Sequence, residues 1–534
     1  MNKSRLVLAG VALAGLGACS GGGVELNVST VDNSVNNSVN QGGGGANNPC
    51  ASYTVPNTAQ LRQGTQAGAD CIYSANFVGV NNPLLTDLTI PFITGVHIFQ
   101  DSLFVGQNVN TGRAPQEGEG PTLTIEAGNT ITFLDSADYI LVNRGSKIVA
   151  NGTASAPIIF TGYTDAVTKT AGPFDVQLWG GLVINGNGIT NNCTDAQRAN
   201  NGCHVVSEGQ PSHYGGNNNA ESSGSLRYVI VKHAGFEVAP DDELNGITFN
   251  AVGSGTVVEN IQVYSAYDDG LEFFGGAVNV SNALLLYVRD DSLDFSDGYV
   301  GTVDTALAIH AADNGNWCIE LDNIGASRSN AGQPFDLAPV TVATVRNYTC
   351  IVSNMLQSQG GTHGDSAGFR IRQGGRAQIG NSIVYSGYAN RILGKVGNAN
   401  NRCHRVESPT GLTDAQNGLT TIRDSVLACE VVASGAFANG DTFVSWLSGA
   451  NPSAAGLNYG FNSGNTLITN VASASLSLLE EGTFYTRTAP TDAAGNPIAI
   501  PPGGLGGVLR SDDWTFPWAY GLRAGNRGVA LWFE

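Results

Sequence analysis

Residues 257–301 read VVENIQVYSAYDDGLEFFGGAVNVSNALLLYVRDDSLDFSDGYVG and state nearly the same pattern twice. Asn260 returns as Asn282, Asp268 and Asp269 as Asp290 and Asp291, Leu271 as Leu293, Glu272 as Asp294, Phe273 as Phe295 and Gly276 as Gly298, each 22 residues on (282 − 260). A period of this length, with short apolar–polar alternations such as Ile261 to Tyr264 set between Gly, Asn and Asp turns, is one coil of a β-solenoid. Residues one coil apart in a parallel solenoid lie above one another at roughly 4.8 Å. The two acidic doublets therefore stack along one edge.

Stacked carboxylates repel unless they are solvated, protonated or bridged by a cation. Calcium takes six to eight oxygen ligands in loose geometry, and Asp268, Asp269, Asp290 and Asp291, with Glu272, Asp294 or Asp297 nearby, supply that chemistry. The competing expectation is that these aspartates cap turn amides at coil corners.

The coil rhythm extends both ways from this stretch. Upstream it begins at LTIEAGNTITF (123–133) and runs through YILVNRGSKIVANG (139–152), APIIFTGYT (156–164), WGGLVINGNG (179–188) and LRYVIVKHAGFE (226–237). Polar insertions interrupt it at 189–224, 313–339 and 398–418. The predicted fold is all-β: a right-handed parallel β-helix over 121–430, an N-terminal cap over 50–120 that shields the first coil, and an irregular C-terminal cap over 431–534. Trp514, Phe516, Trp518 and Trp532 are expected to close the apolar end of the last coil.

Composition agrees. Charged residues are 13% of the 534 and glycines number 71, as expected of many short strands and tight turns. The 44 acidic and 25 basic side chains leave a formal net charge of −19, which argues against nucleic acid and suits cations, basic partners or neutral glycans.

SAPIIFTGY, WGGLVINGNG, LRYVIVKHAG, DDGLEFFGG and DDSLDFSDGYVG, in this order, with GFRIRQGGRAQIGNSIVYSGY (368–388) and DDWTFPWAYGL (512–522), resemble a broad group of secreted or lipid-anchored bacterial β-helix proteins, hypothetical surface lipoproteins among them. The resemblance implies fold and compartment. No catalytic residue carries over from it.

The N-terminus places Lys3 and Arg5 before the apolar run Leu6 to Leu16, too short to span a bilayer. It ends in Leu16-Gly17-Ala18-Cys19, which resembles a lipobox. Residues 1–18 then form a lipoprotein signal peptide and Cys19 is acylated, with Ser20 pointing to the outer membrane, on its periplasmic face or at the cell surface. Residues 19–49, rich in Gly, Asn and Ser, read as a flexible tether. Among the other eight cysteines, sequence neighbours suggest the pairs Cys50–Cys71, Cys193–Cys203, Cys318–Cys350 and Cys403–Cys429, bridges that persist outside the cytoplasm.

Function divides between two classes. As a non-enzymatic binding protein, the chain offers Tyr264, Tyr267, Phe274, Tyr287 and Tyr299 as an outward aromatic face for a glycan or an envelope protein. As a carbohydrate-active enzyme it is a calcium-assisted polysaccharide lyase, with Lys232, Arg227 or Arg289 as the proton-abstracting base. Paired carboxylates roughly 5 to 9.5 Å apart also suit glycoside hydrolysis, a spacing any acidic coil corner meets. Ser366, beside His363 and Asp365, lacks the strand–turn–helix setting of a hydrolase nucleophile. No C-x2-C or H-x-x-x-H spacing suggests zinc.

Overall fold

The structure is a computed structural model and describes Asn48–Glu534, apart from residues 210–211, 240–241, 354–365, 393–401, 454–455, 470, 472–476 and 493. The expected signal peptide over 1–18, Cys19 and all but the last two residues of the expected tether lie outside the described residues, as do His363 and Asp365.

One coil can be followed through the doubled stretch. Val257–Tyr264 is a single long strand that bends at Asn260, and Leu271–Phe274 is a short strand on another face. The next coil repeats this with Asn279–Leu286 and Leu293–Ser296. Leu271 registers on Leu293 and Phe273 on Phe295, so the 22-residue period is the coil itself. The bend falls on left-handed backbone, φ 54° at Asn260 and 61° at Asn282, a region in which asparagine is the most tolerated residue after glycine. The two amides stack, Asn282 Nδ2 donating to Asn260 Oδ1 at 3.0 Å. Each long strand thus supplies two faces and each short strand a third.

Stacking these coils produces a ten-stranded parallel sheet of the short strands and an 18-stranded sheet that contains the long ones. Inward columns are apolar: Phe249, Phe273 and Phe295 stack with centroids 5.2 and 4.9 Å apart, all fully buried. A fully buried Leu or Phe stabilises by about 1.5–3 kcal/mol, which makes this column the chief fold-determining feature.

The caps differ from expectation. Coiling begins before residue 121, since Leu88–Ile90 already registers on Thr122–Ile125 and Leu103–Val105 on Ile140–Val142. It continues past 430, where Val431–Ala433 pairs with Arg402–Val406 and Thr466–Ile468 with Val426–Ala428. Phe437, Phe443, Trp446 and Tyr459 belong to the main core there, Trp446 stacking on the buried His404. The tail aromatics do something else. Trp518, Leu522, Leu531 and Phe533 pack with Ile230, Tyr264, Leu284, Leu286, Ile309 and Ile351, on the outer side of the long strands. Gln262 clasps the Tyr520 backbone through both amide atoms, at 2.7 and 2.8 Å, and Trp532 Nε1 donates to the His310 carbonyl at 2.9 Å. The physical reason is that segments such as Ala283-Leu284-Leu285-Leu286 are apolar on both faces, so the outer one must be covered.

Four disulfides join Cys50 to Cys71, Cys193 to Cys203, Cys318 to Cys350 and Cys403 to Cys429, the sequence-neighbour pairing.

Candidate functional site

The acidic doublets sit at the corner where each long strand turns into a short one. Asp269 Oδ1 accepts from the Asp291 backbone N–H of the next coil at 2.9 Å, and Asp291 Oδ1 accepts from the Trp317 N–H at 2.7 Å. One coil earlier Asn245 Oδ1 caps Asp269 N–H at 3.1 Å. Turn capping therefore uses one oxygen of Asp269 and one of Asp291. Each side chain has a second.

Beside this ladder runs an outward column of the ten-stranded sheet, in register as Thr248, Glu272, Asp294, Glu320 and Arg370. Column and corner converge. Carboxylate oxygens lie within 4.8 Å of one another in three overlapping groups: Asp268, Asp269 and Asp290; Asp269, Glu272 and Asp294; Asp291, Asp294 and Glu320. Asp269, Glu272, Asp291 and Glu320 are each no more than 7% exposed. Asp294 Oδ1 is buried with no hydrogen-bond partner.

The insertion at 189–224 roofs the sheet beside this row. Its Ser207 and Ser212 accept from Asn250 and Asn185 at 2.8 Å, and Arg144 anchors its Cys203 and Gly215 carbonyls. Glu208 is carried in beside Glu272. Burial, followed by the mutual repulsion of neighbours, holds Asp268, Asp269, Glu272, Asp291 and Asp294 well above the usual carboxylate range. Burial lifts Glu208 to about 8. At neutral pH such a group keeps protons or takes up a cation in their place.

At the far end the charge reverses. Arg370 meets Glu320 at 2.9 Å, and Arg372 reaches Glu320 and, at 2.8 Å, Asp322.

Several sequence-predicted residues are elsewhere. Asp297 is outside the cluster: Arg328 pairs with it at 2.7 Å, and Asn192 and Tyr214 donate to it. The outward aromatic face is corrected too. Tyr299 points inward between Phe273 and Phe295 and donates to the Val278 carbonyl, because it follows the tight corner at Gly298. Tyr264 and Tyr287 do leave the coil but are buried, Tyr264 beneath Tyr520 of the tail and Tyr287 against Phe174. Phe274 lies beside Tyr214 of the insertion, and Tyr267 donates to Glu237.

The three candidate bases are dispersed. Lys232 Nζ pairs with Asp165 at 2.8 Å and sits 4.0 Å over the Tyr520 ring; Arg227 pairs with Glu259; Arg289 donates to the Phe174 carbonyl. Ser366 is buried, with its Oγ 2.7 Å from His310 Nδ1.

Glu208, Glu320, Asp322, Arg370 and Arg372 escaped the sequence reading. Glu320 was reachable, since Ile319-Glu320-Leu321 repeats Leu293-Asp294-Phe295 after the spacing widens to 26 residues (320 − 294). Glu208 was not, because an insertion has no period to place it.

Parallel coils stacked into two long sheets define a parallel β-helix protein, with its acidic row on the outer side of the ten-stranded sheet. Residues 114–428, more than half of the chain, match the family model described as pectate-lyase-like beta helix domain, and the chain belongs to that family. No curated protein and no solved structure matches it.

Proposed function

We propose that this is an outer-membrane lipoprotein, acylated at Cys19, whose β-helix binds a glycan or another envelope protein without turning it over, and whose acidic corner holds calcium that stabilises the coil stack. One observation carries the calcium assignment: the three overlapping sets of buried and half-buried carboxylate oxygens, with Asp294 Oδ1 buried and without a hydrogen-bond partner. The donors are all hard oxygens and their number suits calcium's six to eight ligands. A non-catalytic role is supported by the same geometry, because the insertion brings Glu208 against Glu272 at one end of the row and the guanidiniums of Arg370 and Arg372 at the other are engaged in ion pairs. Calorimetric titration of the chelated protein with calcium tests the site. An absence of heat and of any melting shift would remove it.

A second reading, a calcium-assisted polysaccharide lyase, is favoured by one feature: Arg370 and Arg372 stand directly beyond the acidic row on the same sheet face. Incubation with a panel of polysaccharides separates the two. Appearance of unsaturated-uronate absorbance would establish the lyase, whereas saturable binding without it supports the binding protein.

A further inference from the structure

Glu259, Ser281, Asp304, Arg346, Gly380 and Arg423 are successive registered neighbours along the outer side of the first half of the long-strand sheet. Only Gly380 has no side chain. It ends the strand Arg376–Gly380, its φ is not in the left-handed region, and a Cβ added there would meet nothing nearer than the Arg423 carbonyl oxygen at 3.9 Å. Neither conformation nor packing requires glycine. A strand glycine marks a bulge, a tight bend or close approach by another group; Gly380 precedes the bend at Asn381, and the free space over it also suits close approach.

The gap opens into a cavity of about 360 Å³. Arg346 and Arg423 flank it, two coil spacings or roughly 10 Å apart along the column. Thr344, Gln378 and Thr421 line one side, and Pro501 and Pro502 form a rim. Arg346 shares Asp304 at 2.9 Å while remaining 54% exposed. The Arg423 side chain makes no ion pair or hydrogen bond among the described residues. Asp424 is the one carboxylate among the lining residues, and a Cβ added at Gly464 would meet its Oδ1.

We propose that this notch binds a sulfate or phosphate ester carried on a sugar unit, the ester oxygens held between Arg346 and Arg423 and the sugar hydroxyls meeting Thr344, Gln378 and Thr421. Arginines at the column positions on either side of Gly380, Arg346 while keeping its Asp304 pair, offer donors from two residues, which suits a tetrahedral oxyanion; a planar carboxylate is satisfied by one fork. The chain's net charge of −19 repels long polyanions, so an isolated ester on an otherwise neutral glycan is the suitable ligand. The inference rests on the glycan-binding reading and assigns that binding its place.

The test is calorimetric titration with glucose 6-sulfate, glucose 6-phosphate, glucuronate, glucose and inorganic sulfate, on wild type, Gly380→Leu and Arg423→Gln. Both substitutions are at sites with free space or no partner, and unchanged melting temperatures verify the fold. The expected result is binding of one or both sugar esters, at least tenfold tighter than glucuronate, glucose or inorganic sulfate, abolished in Gly380→Leu and weakened about tenfold in Arg423→Gln. Ester binding unchanged in both variants overturns the site. Equal binding of inorganic sulfate overturns the sugar contacts, and preference for glucuronate overturns the ester while leaving the glycan-binding reading intact. If no probe binds but an envelope glycan still does, the notch is wrong and the function stands.

Discussion

Replacing Asp269 and Asp291 together by asparagine separates the metal from the turn cap. Each aspartate caps the next coil through Oδ1, at 2.9 and 2.7 Å, and asparagine keeps that acceptor while its amide nitrogen replaces the second oxygen. The cap survives and two charges leave a site where both residues are about 5–6% exposed. In chelator the variant should melt no lower than wild type, since two buried, mutually repelling carboxylates are gone. Calcium at ~100 times its dissociation constant should stabilise wild type by about 2.7 kcal/mol. Unfolding entropy near ~2.1 cal/mol/K per residue, over a body extending from Asn48 to Glu534, gives about 1 kcal/mol/K, so one cooperative melt should rise by about 3 °C. The variant should not respond. Scanning calorimetry of both proteins, with calcium and with chelator, is the assay. Identical wild-type melts in the two buffers, or an equal shift in the variant, would refute the metal assignment and leave the aspartates as caps alone.

Other outcomes follow from the same structure. Because burial raises the acidic row above its unfolded values, with Glu208 at about 8, the folded state binds more protons than the unfolded one; in chelator the melting temperature should therefore fall between about pH 5 and 8, and calcium should flatten that slope. Gln262→Ala removes both hydrogen bonds to the Tyr520 backbone, leaving a buried amide unpaired at a cost of about 1–3 kcal/mol, and should accelerate proteolytic clipping within residues 505–534 before the coils are cut. Trp518→Ala should destabilise by about 3–5 kcal/mol in thermal or denaturant unfolding, since the ring is 2% exposed. Cys19→Ala should move the protein from the membrane fraction to the soluble one and abolish globomycin-sensitive processing; a variant that stays equally membrane-bound counts against acylation.

The repeat of Asn260, Asp269, Leu271 and Phe273 at 22 residues was enough to determine the coil, because a parallel solenoid places residues of equal phase in one column and its inward columns must be apolar. Disulfide pairing was legible for the same reason: neighbours in sequence are neighbours across one coil or one insertion. Sequence also brought the acidic doublets together with Glu272 and Asp294, but not the rest of their company. Glu208 reaches the row on an insertion without a period, and Asp297, although in phase with the coil, is drawn to Arg328, 31 residues later. Outward positions were the hardest, since alternation distinguishes inside from outside yet says nothing about what covers the outside. Tyr264 and Leu286 carry the signal of exposed residues, and they are buried because the tail from Leu505 to Phe533 runs back across a face that is apolar on both sides. That contact joins residues more than 200 positions apart, and only the folded chain decides it.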